Sequence, residues 1–512
     1  MESNDLNPFS TGGPPDCVLA VDLGSSGMRA ALIDRDGRVI ARESLALEIV
    51  AESSGVSEAD PGHWWDCLQR LADRLAVAAP AAWGRVAALA ISAFTRCQVL
   101  VGADGALVRP ALMWRDARSA GMLAALATRC PDDHPERAQL NAFHPLARLA
   151  WLQANEPDSL RDGVTVLEPK DFLNLRLTGL QGGDPVSCAR LLACAQAASG
   201  TSLFDAARLP VSLLPDMREP LAIVGPVRRG LDGALARLAG APVVTMAHDT
   251  WASVVGLGAM RANFAYNLSG TTEVFGLIGD QPGSAEGLLC VDWGGGRWQL
   301  GGPSQSGADA VLWLASLIAG LSSRPADAGA RLDALLGEPR QPEPVLFLPY
   351  LQGERVPWWD PDLRAAFVGL NRRHGRGDLA WAVIEGLAFL NRIVLERAER
   401  SGVPVAREIR FGGGGAASQR WRQVKADVLG RDILCPAPGD EGLRGAAIAA
   451  WAAVGEYPDL DAAQRALVPS IDPVRPDPAR VDSYSRLYQL FCETGLALAP
   501  ISRQLARWGG KR

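Results

Sequence analysis

Two carboxylates in the chain each follow an apolar run and stand just before small residues: Asp22 in "VLAVDLGSSG" and Asp249 in "VVTMAHDTWASVVGLG". Phosphoryl transfer to a hydroxyl calls for such a pair. One acid helps to hold Mg2+, directly or through water, and the other accepts the hydroxyl proton. The same residues have plainer uses: Asp249 can cap the helix that follows it, and Asp22 can serve a turn. Spacing alone leaves both uses open. Phosphate oxygens also need backbone N–H groups and hydroxyls that side chains do not obstruct. The turns Gly24-Ser25-Ser26-Gly27 and Ser269-Gly270-Thr271-Thr272 offer both. Neither is a Walker loop, since the chain has no GK[ST] string, and neither is a Rossmann turn, since each leads into a strand. One such hairpin alone reads as a tight turn, whereas one in each half points to phosphate. A third feature, "RFGGGGAASQRW" from Arg410 to Trp421, sets a run of glycines between a strand and a helix that starts near Ser418. Such a run costs backbone entropy that an ordinary loop avoids, so a phosphate or a flat ligand is expected against it.

These groups need elements to carry them. "CVLAVDLG" and "GMRAALID" read as strands joined at the first small-residue turn, and Asp36-Gly37 turns the second into a third. "PGHWWDCLQRLADRLAVAA" has helical apolar spacing, with Asp60-Pro61 as its start, and "VAALAIS" is a strand again. Asp249 falls between a strand at Pro242 to Met246 and a helix at Thr250 to Leu257, which Thr250 can cap. From Asn263, "NFAYNLSGTTEVFGLIGD" repeats the strand, turn and strand of the N-terminus, which predicts two similar halves with a break near 257–263. Helices "DLAWAVIEGLAFLNRIVLERAERSG" and "SQRWRQVKADVLG" flank strand "EIRFGGGG", so the expected class is α/β.

A length of 512 residues favours two domains, and 48% hydrophobic residues suffice for two cores. The net charge of −6 argues against a nucleic-acid partner, which requires a basic face. No run of about 18 uncharged apolar residues marks a membrane span. Residues 1–16, "MESNDLNPFSTGGPPD", read as a flexible leader rather than a signal peptide. Nine cysteines without CxxC spacing suit reduced thiols in a cytoplasm, and five scattered histidines offer no zinc-type ligand set.

Taken in order, the motifs resemble the FGGY family of carbohydrate kinases from about Val18 to Tyr457. "AVDLGSSGMRAALID" and "NLSGTTEVFGLI" are similar to the family's two phosphate motifs, "MAHDTWASVVGLG" to the segment of its catalytic aspartate, and "FGGGGAASQRWRQVKADVLGRDI" to its adenosine motif. "LPYLQGERVPWWDPDLRAAFVGLNRRHGRGDLAWAVIEGLAF" resembles the C-terminal signature, and "ALMWRDARS" and "LEPKDFLNLRLTG" fall where relatives carry similar strings. The resemblance implies two ribonuclease-H-like (actin-like ATPase) domains around a central cleft. Residues 17–257 would bind sugar and carry the base, and residues 258–512 would bind nucleotide. It implies ATP and Mg2+, with Asp249 as general base and Asp22 near the metal. Gly24, Ser25, Ser26, Ser269, Gly270, Thr271 and Thr272 would lie near phosphates, and Gly413, Gly414 and Ser418 beside the adenosine. Arg96, Trp114, Asp116, Arg118, His248 and Asp249 would meet the sugar, His248 as a packing or hydrogen-bonding neighbour.

The departures concern the sugar. Phe94-Thr95-Arg96-Cys97 stands where many relatives carry Gln-Met-His or Arg-Glu, and Arg148 stands where a lysine is usual. Arg96 is an unusual lining for a neutral polyol, and either suits a carboxylate or faces away. "AHDT" resembles kinases of deoxy-ketohexoses, whereas "GERVPWWDPDLRAAF" is similar to those of xylulose and gluconate. A ketopentose such as xylulose is expected. The alternatives are fuculose, rhamnulose, gluconate or a polyol, or an actin-like ATP-binding protein with no sugar substrate. The C-terminal helix with Trp508 leaves room for a homodimer.

Overall fold

The computed structural model describes residues 17–47, 55–161, 163–319, 328–404, 407–437 and 439–508. The leader expected at residues 1–16 lies outside them. The chain divides into two compact units, one of residues 1–252 with 442–467, the other of residues 253–441 with 468–512.

The first unit is built on a six-stranded sheet of order β5-β6-β4-β1-β2-β3. Its strands are β1 (Cys17–Gly24), β2 (Gly27–Asp34), β3 (Val39–Ala46), β4 (Val86–Ala93), β5 (Ile223–Pro226) and β6 (Pro242–Val244). β1 to β3 form an antiparallel meander, and β4 adds parallel to β1 with β6 parallel to it in turn. β1 is buried on both faces, and Asp22 is therefore the one polar residue between Cys17 and Leu23. Helix α1 (Pro61–Ala78) buries Trp64, Trp65, Leu68, Leu71 and Leu75 in the same core as Leu19 and Val21. Asp60 caps it by accepting the Gly62 N–H, and Pro61 fills the first helical position, as its spacing predicts. Helices α2 (Pro145–Asn155) and α3 (Pro169–Thr178) follow, then α4 (Asp249–Leu257).

The second unit repeats the plan. Its sheet has order β9-β10-β8-β7-β11-β12, from β7 (Phe264–Ser269), β8 (Glu273–Gly279), β9 (Leu289–Asp292), β10 (Trp298–Pro303), β11 (Glu408–Gly412) and β12 (Asp432–Leu434). β7, β8 and β10 form the meander, and β11 adds parallel to β7 as β4 does to β1. The repeated hairpin seen in the sequence is thus the start of a repeated sheet. The longer helices after β7 are α5 (Ala308–Ala319), α6 (Arg376–Arg400), α7 (Gln419–Leu429), α8 (Glu441–Ala453) and α9 (Pro478–Trp508). α7 starts at the Ser418 cap and ends at Gly430, whose φ of 62° a β-carbon would resist.

From Gly442 onward α8 belongs to the first unit. There Trp451 Nε1 donates to the Asp34 carbonyl at 3.0 Å and the Tyr457 hydroxyl donates to that of Arg35. Among the described residues no helix is long and apolar enough to cross a membrane, and all nine cysteines are free thiols.

Candidate active site

Asp249 opens α4 without capping it. His248 takes that work: its Nδ1 accepts the Trp251 N–H at 3.2 Å and its carbonyl accepts the Ala252 N–H at 3.0 Å. Neither Asp249 nor Thr250 is then needed as the cap. Asp249 Oδ1 accepts the Thr250 N–H at 2.6 Å, and Oδ2 has no partner among the described residues. The side chain keeps 45% of its surface open. Desolvation by the surrounding protein, and next the charge of Asp22, push its carboxyl up to about 6. A carboxylate that is reachable and raised toward neutrality is suited to accept a proton. Burial lowers His248 to about 4, so its ring is neutral near pH 7 and serves as a hydrogen-bonding neighbour.

Asp22 belongs to the same unit, and its charge reaches Asp249. It lies across from Arg29 in the hairpin register and is 6% exposed. Oδ2 accepts from Arg29 Nη2 at 2.5 Å and Oδ1 from the Ser92 hydroxyl at 3.0 Å. Gly442 passes so close that a β-carbon there would stand 2.9 Å from the carboxylate. Ser25 and Ser26, at the hairpin tip, are exposed.

In the second unit, the hairpin tip at Gly270 and Thr271 is also exposed. Its carbonyls accept the Ala308 and Asp309 N–H groups at 2.9 and 3.1 Å, which ties the turn to the start of α5. The glycine run packs on this hairpin. A β-carbon on Gly413, where φ is 82°, would lie 2.4 Å from the Ser269 carbonyl oxygen; one on Gly415 would lie 2.7 Å from the Ser269 hydroxyl and 2.9 Å from the Trp421 ring. Gly412 is held as closely by Leu257, and Gly414 alone of these has nothing within 4 Å. Close packing therefore accounts for most of the run, and one glycine faces open space. The Ser418 hydroxyl is committed to Asp333 Oδ1 at 2.6 Å and to its helix cap.

A buried ion pair joins these pieces. Lys425 Nζ on α7 lies 3.1 and 3.2 Å from the Glu273 oxygens, and Asn391 Nδ2 on α6 donates to Glu273 Oε2 at 2.9 Å. Glu273 directly follows Thr272, so the turn is anchored to both helices. Glu441 Oε1 accepts the Gly413 N–H at 3.0 Å, a second anchor. Neither anchor was found from the sequence, although a lysine and a glutamate within otherwise apolar helix and strand faces were a signal of a buried pair.

Of the residues expected at the sugar, Trp114 is 39% exposed. Asp116 is 1% exposed, accepts the Ser57 N–H at 2.9 Å and pairs with Arg118. Arg118 also binds Glu58 at 2.6 Å and stacks over Trp151. Asp116 and Arg118 thus brace the loop that presents Trp114. Arg96 has more than a third of its surface open, and Asp249 is among the charges acting on it. Arg148, buried, donates to the carbonyls of Met113, Arg96 and Phe143. Lys170 is buried between Asp171 at 2.6 Å and Asp184 at 2.7 Å. Glu136, His144 and Cys194 also converge, although their sequence separation hides it. His144 Nδ1 accepts the Leu146 N–H, so its proton sits on Nε2 and points to Glu136, which leaves no lone pair for a metal.

The FGGY family of carbohydrate kinases matches the chain with its N-terminal domain over residues 17–256 and its C-terminal domain over residues 265–454. The xylulose kinase of Escherichia coli (strain K12) is 32% identical over 431 residues, covering 83% of this chain and 87% of its own. That of Klebsiella pneumoniae is 30% identical over 491 residues, covering 94% and 99%. The crystal structure of xylulose kinase from Rhodospirillum rubrum superposes with a TM-score of 0.81 at 26% identity, over 95% of this chain and 99% of that one. The duplicated sheets are therefore the two actin-like ATPase (ribonuclease-H-like) domains of such kinases, and the chain belongs to the FGGY family of carbohydrate kinases, phosphotransferases that use ATP to phosphorylate a sugar hydroxyl.

Proposed function

We propose that this kinase transfers the γ-phosphate of ATP to a hydroxyl of a small ketopentose of the xylulose type, with Asp249 as the general base. The observation that carries the mechanism is the state of Asp249: open to solvent, relieved of capping by His248, with Oδ2 uncommitted and its carboxyl raised to about 6. Similarity to xylulose kinases over most of the chain supports the sugar.

In this mechanism Oδ2 of Asp249 takes the proton as the sugar oxygen attacks the γ-phosphorus, and the bond from that phosphorus to the bridging oxygen breaks to release ADP. The Arg96 guanidinium donates to sugar oxygens, and Trp114, braced by Asp116 and Arg118, supplies an apolar wall. Gly24, Ser25 and Ser26, and likewise the turn from Gly270 to Thr272, offer N–H groups and hydroxyls to phosphates, whereas Ser269 is 0% exposed and lies behind its turn. Gly413 and Gly414 flank the adenosine, with Gly414 as the open position and Ser418 fixing the helix behind them.

Asp22 fits a hydrated Mg2+. Its bonds to Arg29 and Ser92 leave each oxygen a further lone pair, and the glycine at 442 leaves no side chain against them. Mg2+ commonly keeps several waters and takes only one or two carboxylates, and when bound it neutralises charge on the β- and γ-phosphates. Free thiols throughout support a cytoplasmic setting.

The test is an ADP-release assay over ketopentoses, deoxy-ketohexoses, aldonates and polyols, repeated with Asp249→Asn. A ketopentose should lead, and Asp249→Asn should lose about 10²-fold or more in turnover while ADP affinity is kept. Turnover like that of the wild type in this variant removes Asp249 as base, and an aldonate at the head of the panel replaces the sugar.

A further inference from the structure

Arg96 is held in a backbone conformation that its type resists. Its φ is 63°, in the left-handed region that a residue with a β-carbon keeps only where its surroundings impose it. Two buried side chains do so. Glu168 Oε1 accepts the Arg96 N–H at 3.2 Å and Oε2 accepts the Cys97 N–H at 3.3 Å. From the other side Arg148 Nη2 donates to the Arg96 carbonyl at 2.8 Å.

Glu168 serves its own helix only through its carbonyl, which accepts the Asp171 and Phe172 N–H groups at 3.0 Å each. It occupies the cap position of α3, yet its side chain makes no capping bond there. Because Pro169 follows, its backbone is confined to the extended region (ψ 161°), which fixes the direction in which the carboxylate leaves the chain. Burial pushes its carboxyl up to about 8, so placing a carboxylate at this position is costly. The proposed chemistry uses neither Glu168 nor Arg148. What the two together hold is the backbone that carries the Arg96 guanidinium. This group has no partner among the described residues, and the neighbouring Arg190 is already paired with Glu136 at 3.0 Å. A cation left open within reach of the Asp249 charge is a donor awaiting a substrate oxygen.

We infer that Glu168 and Arg148 are positioning residues for the reaction: between them they lock the Arg96 backbone in its left-handed turn and thereby aim the guanidinium at the sugar. This rests on the proposal above that Arg96 lines the sugar site. Both residues act through Arg96, so their effect must vanish when the guanidinium is gone.

Steady-state kinetics of Arg96→Gly, Glu168→Gln and the double variant test this. Glycine adopts positive φ freely, so Arg96→Gly removes the guanidinium and leaves the turn intact. In Glu168→Gln the amide NH2 faces an N–H it cannot accept from, so the clamp opens. Each single variant should raise the sugar KM about tenfold or more, the loss of one charge-assisted hydrogen bond to substrate, with the KM for ATP unchanged. The double variant should be no worse than Arg96→Gly alone. Arg148→Lys, which cannot reach the same carbonyls at once, should repeat the pattern and serves if Glu168→Gln does not fold. An unchanged sugar KM in Arg96→Gly overturns the placing of Arg96 at the sugar, and this inference with it. If Arg96→Gly raises KM but neither clamp variant does, or if their effects multiply, the clamp is merely structural and only this inference falls.

Discussion

Replacing Lys425 by methionine tests how the nucleotide-side turn is held. Lys425, Glu273 and Asn391 are 0%, 1% and 2% exposed, so no water can replace a lost partner. Without the lysine, the Glu273 carboxylate keeps, among the described residues, two amide donors, Asn391 Nδ2 at 2.9 Å and Asn267 Nδ2 at 3.5 Å. Breaking a buried pair from one side costs about 3–5 kcal/mol, a large part of the roughly 5–15 kcal/mol that holds a domain. At about 2–4 °C per kcal/mol for a unit of this size, thermal unfolding of Lys425→Met should fall by about 6–20 °C. The pair itself is close to break-even. Burial lowers the Lys425 pKa despite Glu273, so desolvation outweighs the attraction that Glu273 returns. Lys425→Met combined with Glu273→Leu should therefore regain part of the loss, the remainder being the buried Asn391 amide, which loses both its partners. Urea and thermal unfolding read the stability, and ADP titration reads the turn, whose affinity should drop in the single variant because Glu273 directly follows Thr272. A single variant within about 1 kcal/mol of wild type, or a double variant no better than the single, would refute the reasoning.

With Asp249 raised from 3.8 to about 6, kcat/KM for the sugar should fall about tenfold per pH unit below about pH 6, and a profile flat from pH 5 to 7 would exclude this carboxyl as the base. The same shift acts on stability with the opposite sense. The folded chain holds this proton more tightly than the unfolded, so the group's contribution is fully present below pH 3.8 and is lost as pH rises through about 6. In the glycine run, Gly415→Ala forces a methyl against Ser269 and Trp421 and should lower stability by about 1–3 kcal/mol. Gly414→Ala should leave unfolding unchanged and raise only the KM for ATP; equal thermal losses in both would remove the distinction.

Much of the scaffold was legible because its rules are local. The apolar run of β1 before a small-residue turn, its echo in β7 and β8, the Asp60-Pro61 start of α1 and the Ser418 and Gly430 ends of α7 each follow from a few neighbouring residues. Order and content of the motifs were enough to point to the kinase family. Tertiary structure alone decided what surrounds each group. It gave Asp22 its partners Arg29 and Ser92 and assigned most of the glycine run to packing against Ser269. It also returned residues 442–467 to the first unit, set Glu168 against Arg96 across 72 positions, and joined Lys425 to Glu273 across 152. The physical reason is one of range: caps, turns and periodicity are set within a few residues, whereas burial and charge pairing depend on which distant segments the sheets bring together.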